Sequence, residues 1–359
     1  MMHVAIVMPP ATELSPDDAL DRWGTVTGAA SALLAAGEVV PTVHARHRVD
    51  SATVERDGVT YRFHSSDGAL ARAVRAERPA VVHVHGLGWT RLLLRLQHAG
   101  ASIVVQHHGE PPFTGRRKWA HRLVRRSISA YLFTGASLGQ ADPWIAAGVI
   151  RVDARCCEVL ESASLLPADR PEEAATVVLQ GQPVVLWVGR LIDSKDPLTA
   201  IDGFALAAAR VAGAHLHLLV TERAMEFTVR ARLAELGEVA QRIHLHDAVP
   251  YAEMAGWYRA AGLFLSTSRR EGSGYSLIEA VTCGCIPVVS AIAPHLAIIG
   301  ECGTSFPVGD AVAAGAALER MAGGWVPGSV EPTVAERRTL LSWGSVAAQM
   351  YAAYCSSTA

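Results

Sequence analysis

The sequence predicts an α/β protein built from two doubly wound domains, each with a parallel sheet. Its 359 residues are enough for two domains of ordinary size. Half of the residues are hydrophobic and 18% are charged, a composition typical of chains that bury cores. Short apolar runs alternate with Ala-, Leu- and Arg-rich stretches of helical length, and this alternation indicates consecutive βα units.

The first half of the chain contains a series of candidate strands and helices. The candidate strands are continuous apolar runs. Such runs are typical of strands that are buried on both faces by flanking helices. The predicted strands are 3–7, 39–45, 80–86, 102–108 and 130–134. The predicted helices are 24–36, 68–77, 88–99, 116–128 and 139–147.

A second series of similar size follows. Its predicted strands are 183–190, 216–220, 242–246, 263–268 and 286–291. Its predicted helices are 197–211, 223–236, 251–261, 275–283 and 310–322. The polar stretch 168–183 separates the two series, so we expect one Rossmann-like domain at 1–168 and another at 169–340. The last segment, 341–359, contains an amphipathic helix that can pack on either domain.

Charge and hydropathy exclude several classes of protein. With 32 basic and 34 acidic side chains the net charge is −2, so no bulk positive field is present and we expect no nucleic-acid partner. No apolar run reaches the roughly 18 residues that span a bilayer. The first residues lack the basic region of a secretory signal, and six cysteines in a chain of this length do not form a disulfide framework. We therefore expect a cytoplasmic protein.

Residues 263–290 carry the densest chemical signal. A predicted strand leads into a loop with Gly272 and Gly274, and a helix begins near Tyr275. Glycines let the backbone approach a ligand closely, and the first turn of a helix offers N–H groups and the positive end of a dipole. This strand-loop-helix pattern predicts an anion site.

Two carboxylates flank this loop. Glu271 precedes the helix and Glu279 lies inside it. Carboxylates in such positions accept hydrogen bonds from sugar hydroxyls and from a ribose diol. The alternative is a capped helix with two solvated carboxylates, but the glycine loop beside them favours a binding site.

A second signal lies at 184–197, where a buried strand ends in Gly189 and is followed by Arg190 and Lys195. A guanidinium fork and an ammonium group at the carboxyl end of a strand suit a diphosphate. The alternative is a surface loop with two solvated cations.

Both stretches resemble the nucleotide-sugar site of family 4 glycosyltransferases, which have the two-Rossmann GT-B fold. The Glu-x7-Glu motif of that family is matched by Glu271 and Glu279, and its VGRL…K segment by residues 188–191 and Lys195. The family pattern EGxGxxLxEAxxxGxPVV stands here as EGSGYSLIEAVTCGCIPVV at 271–289. The N-terminal half is similar more loosely, through its strand pattern and a histidine after a strand.

The resemblance implies a retaining, metal-independent glycosyltransferase without a cofactor. Its two domains face each other across a cleft, and a C-terminal helix crosses back to the first domain. The donor is a UDP- or GDP-linked sugar on the second domain, with Arg190 and Lys195 at its diphosphate, Glu271 at its sugar and Glu279 at its ribose. Backbone groups of the glycine loop assist: Gly272, Ser273, Gly274, Tyr275 and Ser276. The acceptor, a glycan, a lipid or a small metabolite, lies on the first domain and is not identified by the sequence.

The resemblance also implies a histidine that faces the donor sugar from the first domain. His107 and His108 end the predicted strand 102–108, and neighbouring strand residues point to opposite faces. We prefer His108, in contact with the sugar or acceptor, while either residue can instead be a hydrogen-bonded core histidine. Glu110 is a weaker candidate for the acceptor site.

Two stretches depart from the family. The family has a Gly-Gly loop after its first strand, whereas residues 11–31 form a longer, acidic loop here. Gly24, with Thr25 at a helix start, is our candidate for contact with the leaving phosphate. Glu161 and Ser162 stand in place of the family's NGVD text and either line the cleft or belong to a linker.

Other functions fit parts of the sequence. Gly135, Ser137 and Gly139 match the G-x-S-x-G elbow of serine hydrolases, after a predicted strand and before a helix. The intact donor motif is also compatible with a non-catalytic module that only binds nucleotide sugars. The basic, Trp-containing segment 115–127 predicts at most weak peripheral contact with an anionic membrane, against the alternative of a solvated helix face.

Overall fold

The computed structural model describes residues 1–48, 52–167 and 177–358. Two compact units are present: Met1–Ala163 with Ser342–Ala359, and Ser164–Leu341. Each unit contains a sheet of mainly parallel strands with helices between them, which confirms the predicted fold class. The predicted domain boundary between residues 168 and 169 lies outside the described residues.

The first unit has an eight-stranded sheet with the order β3-β4-β2-β1-β5-β6-β7-β8. Its strands are β1 (Met2–Val7), β2 (Val39–Arg46), β3 (Thr53–Arg56), β4 (Val59–His64), β5 (Val81–His85), β6 (Ser102–Gln106), β7 (Ile128–Phe133) and β8 (Cys156–Glu158). The central strand β5 is buried at every position, as continuous apolar runs predict. Strand β6 ends at Gln106, two residues earlier than predicted, so His107 and His108 lie in the following loop.

The helices of this unit lie between its strands. They are α1 (Pro16–Arg22), α2 (Gly24–Ala35), α3 (Asp67–Glu77), α4 (Thr90–Leu96), α5 (Gly115–Val124) and α6 (Asp142–Ala146). The prediction of a loop over 11–31 is wrong in part, because α1 occupies its middle. Ser15 caps α1 by accepting from the N–H of Asp18, and Pro16 opens its first turn. Both are start signals that the sequence contains.

The hairpin β3–β4 is antiparallel and was missed by the sequence interpretation. Asp57 and Gly58 form its turn, and both have positive φ. An Asp-Gly pair between two short strands is a strong hairpin signal. The hairpin extends the sheet, because β4 pairs with β2 and β3 becomes the edge strand.

The second unit has a six-stranded parallel sheet with the order β11-β10-β9-β12-β13-β14. Its strands are β9 (Val184–Gly189), β10 (His215–Val220), β11 (Ile243–Asp247), β12 (Leu263–Ser266), β13 (Ile286–Ser290) and β14 (Thr304–Phe306). Its helices are α7 (Pro197–Ala208), α8 (Glu226–Glu235), α9 (Met254–Ala260), α10 (Tyr275–Thr282), α11 (Ala293–Ile299), α12 (Ala311–Gly324) and α13 (Pro332–Leu340). Elements α11, β14 and α13 were not predicted, because their apolar patterns are short.

The last helix, α14 (Trp343–Thr358), belongs to the first unit, as the family resemblance implies. It packs on α2, β6 and β7. The Tyr354 hydroxyl lies 2.8 Å from Nδ1 of His83, and the side chain of Gln349 accepts from the N–H of Leu160 at 2.8 Å. Gly28 on α2 makes room for Trp343, since a Cβ there would lie 2.4 Å from the indole. None of the helices in the described ranges combines the length and apolarity needed to cross a bilayer.

The Gly28–Trp343 contact is tested by Gly28→Ala. The added methyl group has no space against the indole, so we expect the free energy of unfolding to fall by about 1–3 kcal/mol. Gly68→Ala on α3 is the matched control, because its Cβ would have its nearest neighbour at 3.6 Å. That control should be neutral or stabilise by up to about 1 kcal/mol. Equal denaturant midpoints for the two variants would contradict the docking of α14 described above.

Candidate functional site

The loop with Arg190 and Lys195 and the glycine loop with Gly272 and Gly274 lie side by side in the second unit. They follow β9 and β12, which are neighbours in the parallel sheet, so both loops leave its carboxyl edge. The N–H of Arg269 donates to the carbonyl of Ser194 at 2.9 Å, and the Thr267 hydroxyl donates to the carbonyl of Lys195 at 2.9 Å. The structure thus brings the two predicted stretches into one site.

An ion pair between Lys195 and Glu271 joins these loops. The two side chains are only 18% and 14% exposed, and the Ser268 hydroxyl donates to the same carboxylate at 2.6 Å. Burial raises the pKa of Glu271, but the Lys195 ammonium group, His295 and the Ser268 hydroxyl together lower it more, so that this pKa lies below its usual range. The Glu271 carboxylate is therefore charged at neutral pH, which suits an acceptor of hydroxyl hydrogen bonds.

Arg190 lies at the outer side of the same loop. Its side chain is 53% exposed, and its guanidinium group is 3.6 Å from the Glu222 carboxylate, which is 52% exposed. Exposed pairs of this kind contribute about 0–1 kcal/mol, so Arg190 can turn toward an anionic ligand at little cost. Glu222 was not predicted, because only the sheet brings β10 and its following loop beside β9.

The glycine loop has the geometry of an anion site. Gly274 adopts the left-handed conformation with φ of 69° at the N-cap of α10, so the residue at this position supplies no capping side chain. A Cβ at Gly274 would lie 3.3 Å from the buried ring of His295, so glycine fits both the backbone angle and the space. The other predicted residues of the loop lie around this start: Gly272, Ser273, Tyr275 and Ser276. The first turn of α10 directs its positive dipole end toward the loop.

Glu279 is buried inside α10, at 3% exposure. Its two carboxylate oxygens accept from the hydroxyls of Tyr251 at 2.7 Å and Tyr258 at 2.9 Å. Burial raises the pKa of Glu279, and the two hydroxyls reverse this only in part. Tyr258 is fully buried, whereas Tyr251 is 45% exposed, so a ligand hydroxyl can replace the Tyr251 contact. Both tyrosines were missed, because Tyr258 on α9 and Tyr251 in the 3-10 turn before it reach Glu279 only in the folded unit.

In the first unit, His108 lies in the loop after β6. Its Nδ1 is hydrogen-bonded to the Glu161 carboxylate, and its Nε2 lies 3.0 Å from Nδ1 of His85. Its backbone N–H donates to Glu110 at 2.8 Å. Burial lowers the pKa of His108, but Glu161 and then Glu110 raise it more, so that this pKa lies above its usual value. The Glu161 side chain is thus directed at His108, a contact that the sequence did not predict, and its place in a cleft stays a prediction.

His107 has a different environment. It is 5% exposed, and its ring centroid lies 4.9 Å from that of Phe133 and 5.6 Å from that of Trp144, which it meets edge to face. Burial lowers the pKa of His107. It is thus the hydrogen-bonded core histidine that the sequence allowed, while His108 lies among charged groups at the carboxyl edge of the sheet.

Two further candidates lie in the first unit. Gly24 opens α2, and Trp23 occupies the N-cap without a capping side chain. Gly24 therefore sits in a different unit from Lys195 and Glu271, and its contact with the leaving phosphate stays a prediction. Ser162 is buried, and its hydroxyl donates to the carbonyl of Ala163 at 2.9 Å, which is a local structural bond.

The environment of Ser137 does not favour a serine hydrolase. Residues 136–138 form a short 3-10 turn rather than the start of a helix. The backbone N–H of Ser137 donates to the Glu158 carboxylate at 3.0 Å, and its hydroxyl donates to the same group. A nucleophile elbow pairs its serine with a histidine base, whereas the partner of Ser137 here is a carboxylate.

The basic segment 115–127 begins with α5. Trp119 and Leu123 on this helix are 65% and 72% exposed, and the guanidinium group of Arg122 lies 4.8 Å from the Trp119 ring. Weak contact with an anionic membrane requires exposed apolar side chains next to cationic ones, and this helix has both. Such contact stays a prediction. In the parts of the chain that the structure describes, no cluster of three or more metal-ligating side chains is present.

Comparison with known proteins identifies relatives of this chain. Residues 182–323 match the family model described as Glycosyl transferases group 1. Mannosylfructose-phosphate synthase from Agrobacterium fabrum is 36% identical over 113 residues, which are 30% of this chain and 25% of that protein. GDP-mannose:cellobiosyl-diphosphopolyprenol alpha-mannosyltransferase from Xanthomonas campestris is 26% identical over 62% of this chain and 59% of that protein. The chain thus spans less than two thirds of either curated relative.

Solved structures share the fold over nearly the whole chain. A UDP-forming alpha,alpha-trehalose-phosphate synthase from Burkholderia xenovorans, in complex with glucose-6-phosphate, is 13% identical with a TM-score of 0.70, covering 99% of this chain and 100% of that one. Sucrose-phosphate synthase from Thermosynechococcus elongatus is 17% identical with a TM-score of 0.66, covering 99% and 98%. These matches confirm the predicted resemblance to GT-B glycosyltransferases. Membership of family 4 in particular stays a prediction.

The His108–Glu161 contact is tested by Glu161→Gln. Removing the carboxylate removes the main cause that holds the pKa of His108 above its usual value, so we expect this pKa to fall in an NMR titration of the imidazole. A raised folded pKa stabilises the protein below the unfolded value of about 6.5, and this stabilisation is lost as pH rises through the folded pKa. The stability deficit of the variant should therefore be largest at acidic pH.

Glu55→Gln, on the exposed strand β3, is the control for this titration and should leave the His108 pKa unchanged. An unchanged His108 pKa in Glu161→Gln, or a stability deficit that grows toward alkaline pH, would contradict the arrangement.

Proposed function

We propose that the chain is a retaining, metal-independent glycosyltransferase that moves a sugar from a nucleoside diphosphate sugar to an acceptor. The Lys195–Glu271 ion pair beside the first turn of α10 carries this proposal. It combines a cation for the diphosphate with a charged carboxylate for sugar hydroxyls, in the unit that matches the family model. Withdrawing both charges from water costs free energy, which their mutual attraction repays only with good geometry.

The diphosphate of the donor is proposed to lie against Arg190, Lys195 and the backbone N–H groups around Gly274. Three sources of positive potential then face the leaving group: an exposed guanidinium, a mostly buried ammonium and a helix dipole. They stabilise the negative charge that grows on the diphosphate as the glycosidic bond breaks. This arrangement supplies the role that a divalent cation has in metal-dependent transferases.

The ribose is proposed to bind Glu279. The carboxylate already accepts two hydroxyl hydrogen bonds, and Tyr251 supplies the more exposed of them. A ribose hydroxyl can take the place of the Tyr251 hydroxyl at Oε1 while Tyr258 keeps Oε2 oriented. The exchange replaces one neutral donor by another, so it leaves no buried acceptor unsatisfied.

The reaction is proposed to proceed on one face of the sugar. The acceptor oxygen bonds to the anomeric carbon, the bond from that carbon to the diphosphate oxygen breaks, and the acceptor proton passes to the leaving diphosphate. Glu271 orients sugar hydroxyls through its charged carboxylate, and His108 is proposed to contact the sugar or the acceptor from the first unit. Glu161 favours the protonated form of His108, whose Nδ1 is already bonded to that carboxylate. The Nε2–H group can donate to a sugar or acceptor oxygen in place of its contact with Nδ1 of His85 at 3.0 Å.

The donor is proposed to be a UDP- or GDP-linked hexose. One structural neighbour, from E. coli, is bound with UDP-2-fluoro glucose, and the Xanthomonas relative is named for GDP-mannose. The relatives named here differ in their acceptors, which include a sugar phosphate and a lipid diphosphate. We also propose a cytoplasmic location, since the six cysteines are free thiols.

Lys195→Ala and Arg190→Ala test the diphosphate site. Each removes a charge that stabilises the leaving group, so we expect turnover to fall by roughly 10²–10³-fold. Arg210→Ala, at an exposed pair with Glu319, is the control and should retain turnover. Turnover is measured as release of nucleoside diphosphate from UDP-glucose and GDP-mannose. Full activity of both site variants would refute the assignment, and tight donor binding without any turnover in the parent protein would favour a non-catalytic module.

Glu279→Gln tests the ribose site. The amide keeps a hydrogen bond to Tyr258 but loses the charge, so we expect the affinity for UDP or GDP to fall by roughly 10–100-fold, the scale of hydrogen bonds to a charged group. Calorimetry with the 2′,3′-dideoxy nucleotide provides the internal control. The parent protein should bind that analogue much more weakly than the ribonucleotide, and the variant should bind both about equally. An unchanged preference for the ribonucleotide in Glu279→Gln would show that the diol is recognised elsewhere.

A further inference from the structure

A pocket of about 400 Å³ lies at the carboxyl edge of the first sheet and is not used by the proposed donor site. Its walls come from the end of β2, the loop after β5 and the start of α5, with Arg46, Trp89 and Arg117 among the lining residues. Its size is in the range of small-molecule sites, and its position is where open α/β sheets bind ligands.

The pocket is strongly basic. Four of its side chains are arginines, Arg46, Arg91, Arg116 and Arg117, and one is the carboxylate Asp67. Arg46 lies 3.6 Å from Asp67, so that carboxylate already has a cation beside it. Among the described residues, Arg91, Arg116 and Arg117 have no ion-pair partner. All three side chains are exposed, and each would attract an anion bound in the concavity.

One arginine of the pocket contacts an aromatic ring. The guanidinium carbon of the exposed Arg117 lies 4.6 Å from the centroid of the Phe113 ring, and a Cβ on Gly88 would lie 3.2 Å from a terminal nitrogen of Arg117. Such a cation–π contact favours one placement of the side chain, and the guanidinium fork matches phosphate oxygens. The indole of Trp89 is oriented by its N–H group, which donates to the carbonyl of His85 at 3.0 Å. The pocket therefore combines cations with an aromatic wall.

The pocket adjoins His108 through Glu110. The Glu110 carboxylate accepts from the N–H of His108 at 2.8 Å and from the N–H of Leu87 at 3.2 Å, and Leu87 directly precedes the pocket residues Gly88 and Trp89. The same carboxylate thus joins the loop that carries His108 to the loop that lines the pocket.

We infer that this pocket binds a phosphate group of the acceptor, with the acceptor's reacting end toward His108. That the phosphate belongs to an acceptor rests on the proposed function, whereas the phosphate site itself rests on the arginines. Phosphate chemistry of this kind occurs in soluble sugar phosphates and in lipid headgroups, and the experiment below separates these sources.

The test measures binding of glucose 6-phosphate and of glucose by calorimetry, in the parent protein and in Arg91→Gln/Arg117→Gln. We expect the sugar phosphate to bind, glucose to bind at least tenfold more weakly, and the double variant to lose at least tenfold in affinity for the phosphate. Arg122→Gln, on α5 and outside the pocket, is the matched control and should stay within about twofold. Affinity should also fall as salt is raised.

The remaining arms distinguish the alternatives. Loss of phosphate binding in Lys195→Ala but not in the double variant would place the anion at the donor site and overturn the inference. Equal binding of glucose and its phosphate, or no binding of either together with no binding to vesicles, would overturn it too. Binding only to vesicles with anionic phospholipid, lost in the double variant and kept in Arg122→Gln, would support the phosphate site with a lipid as its source. UDP and GDP binding is measured in parallel: its absence counts against the proposed function, whereas its presence with an inert pocket counts against this inference alone.

Discussion

The second unit depends on the ion pair between Lys195 and Glu271. The pair joins a loop after β9 to a loop after β12, and both side chains are mostly withdrawn from water. Loss of either partner would leave the other charge buried and unpaired, which is strongly unfavourable. The two loops are therefore held together by the same groups that are proposed to meet the donor, so binding and local structure share one interaction.

Environment separates the two carboxylates of the glutamate motif. Glu271 faces an ammonium group, which lowers its pKa, whereas Glu279 has two tyrosine hydroxyls and a pKa raised by burial. A charged carboxylate such as Glu271 suits hydrogen bonds from sugar hydroxyls beside a diphosphate. A carboxylate that already accepts from hydroxyl groups, such as Glu279, suits a diol. Two residues of one type thus acquire different binding properties from their neighbours alone.

The first unit places its charged groups at the same edge of the sheet. His108 is hydrogen-bonded between Glu161 and His85, and Glu110 joins its loop to the pocket lined by arginines. Parallel strands end at one edge, so loops that are distant in sequence meet there. This geometry explains how acidic and basic residues that are distant in sequence come to lie at one edge of the sheet.

Sequence patterns predict the two βα series, the parallel sheets and the chain positions of the residues that we propose to bind the donor. Those features follow from continuous apolar runs and from spacing within single loops, which are local properties. The groups that meet in space become known from the folded chain: Tyr251 and Tyr258 at Glu279, Glu161 at His108 and four arginines around one pocket. These contacts join residues far apart in the chain, and no local pattern encodes them, because the order of strands in the sheet sets the distances. The core position of His107 has the same explanation, because β6 ends at Gln106 and the His107 ring packs against Phe133 on the next strand.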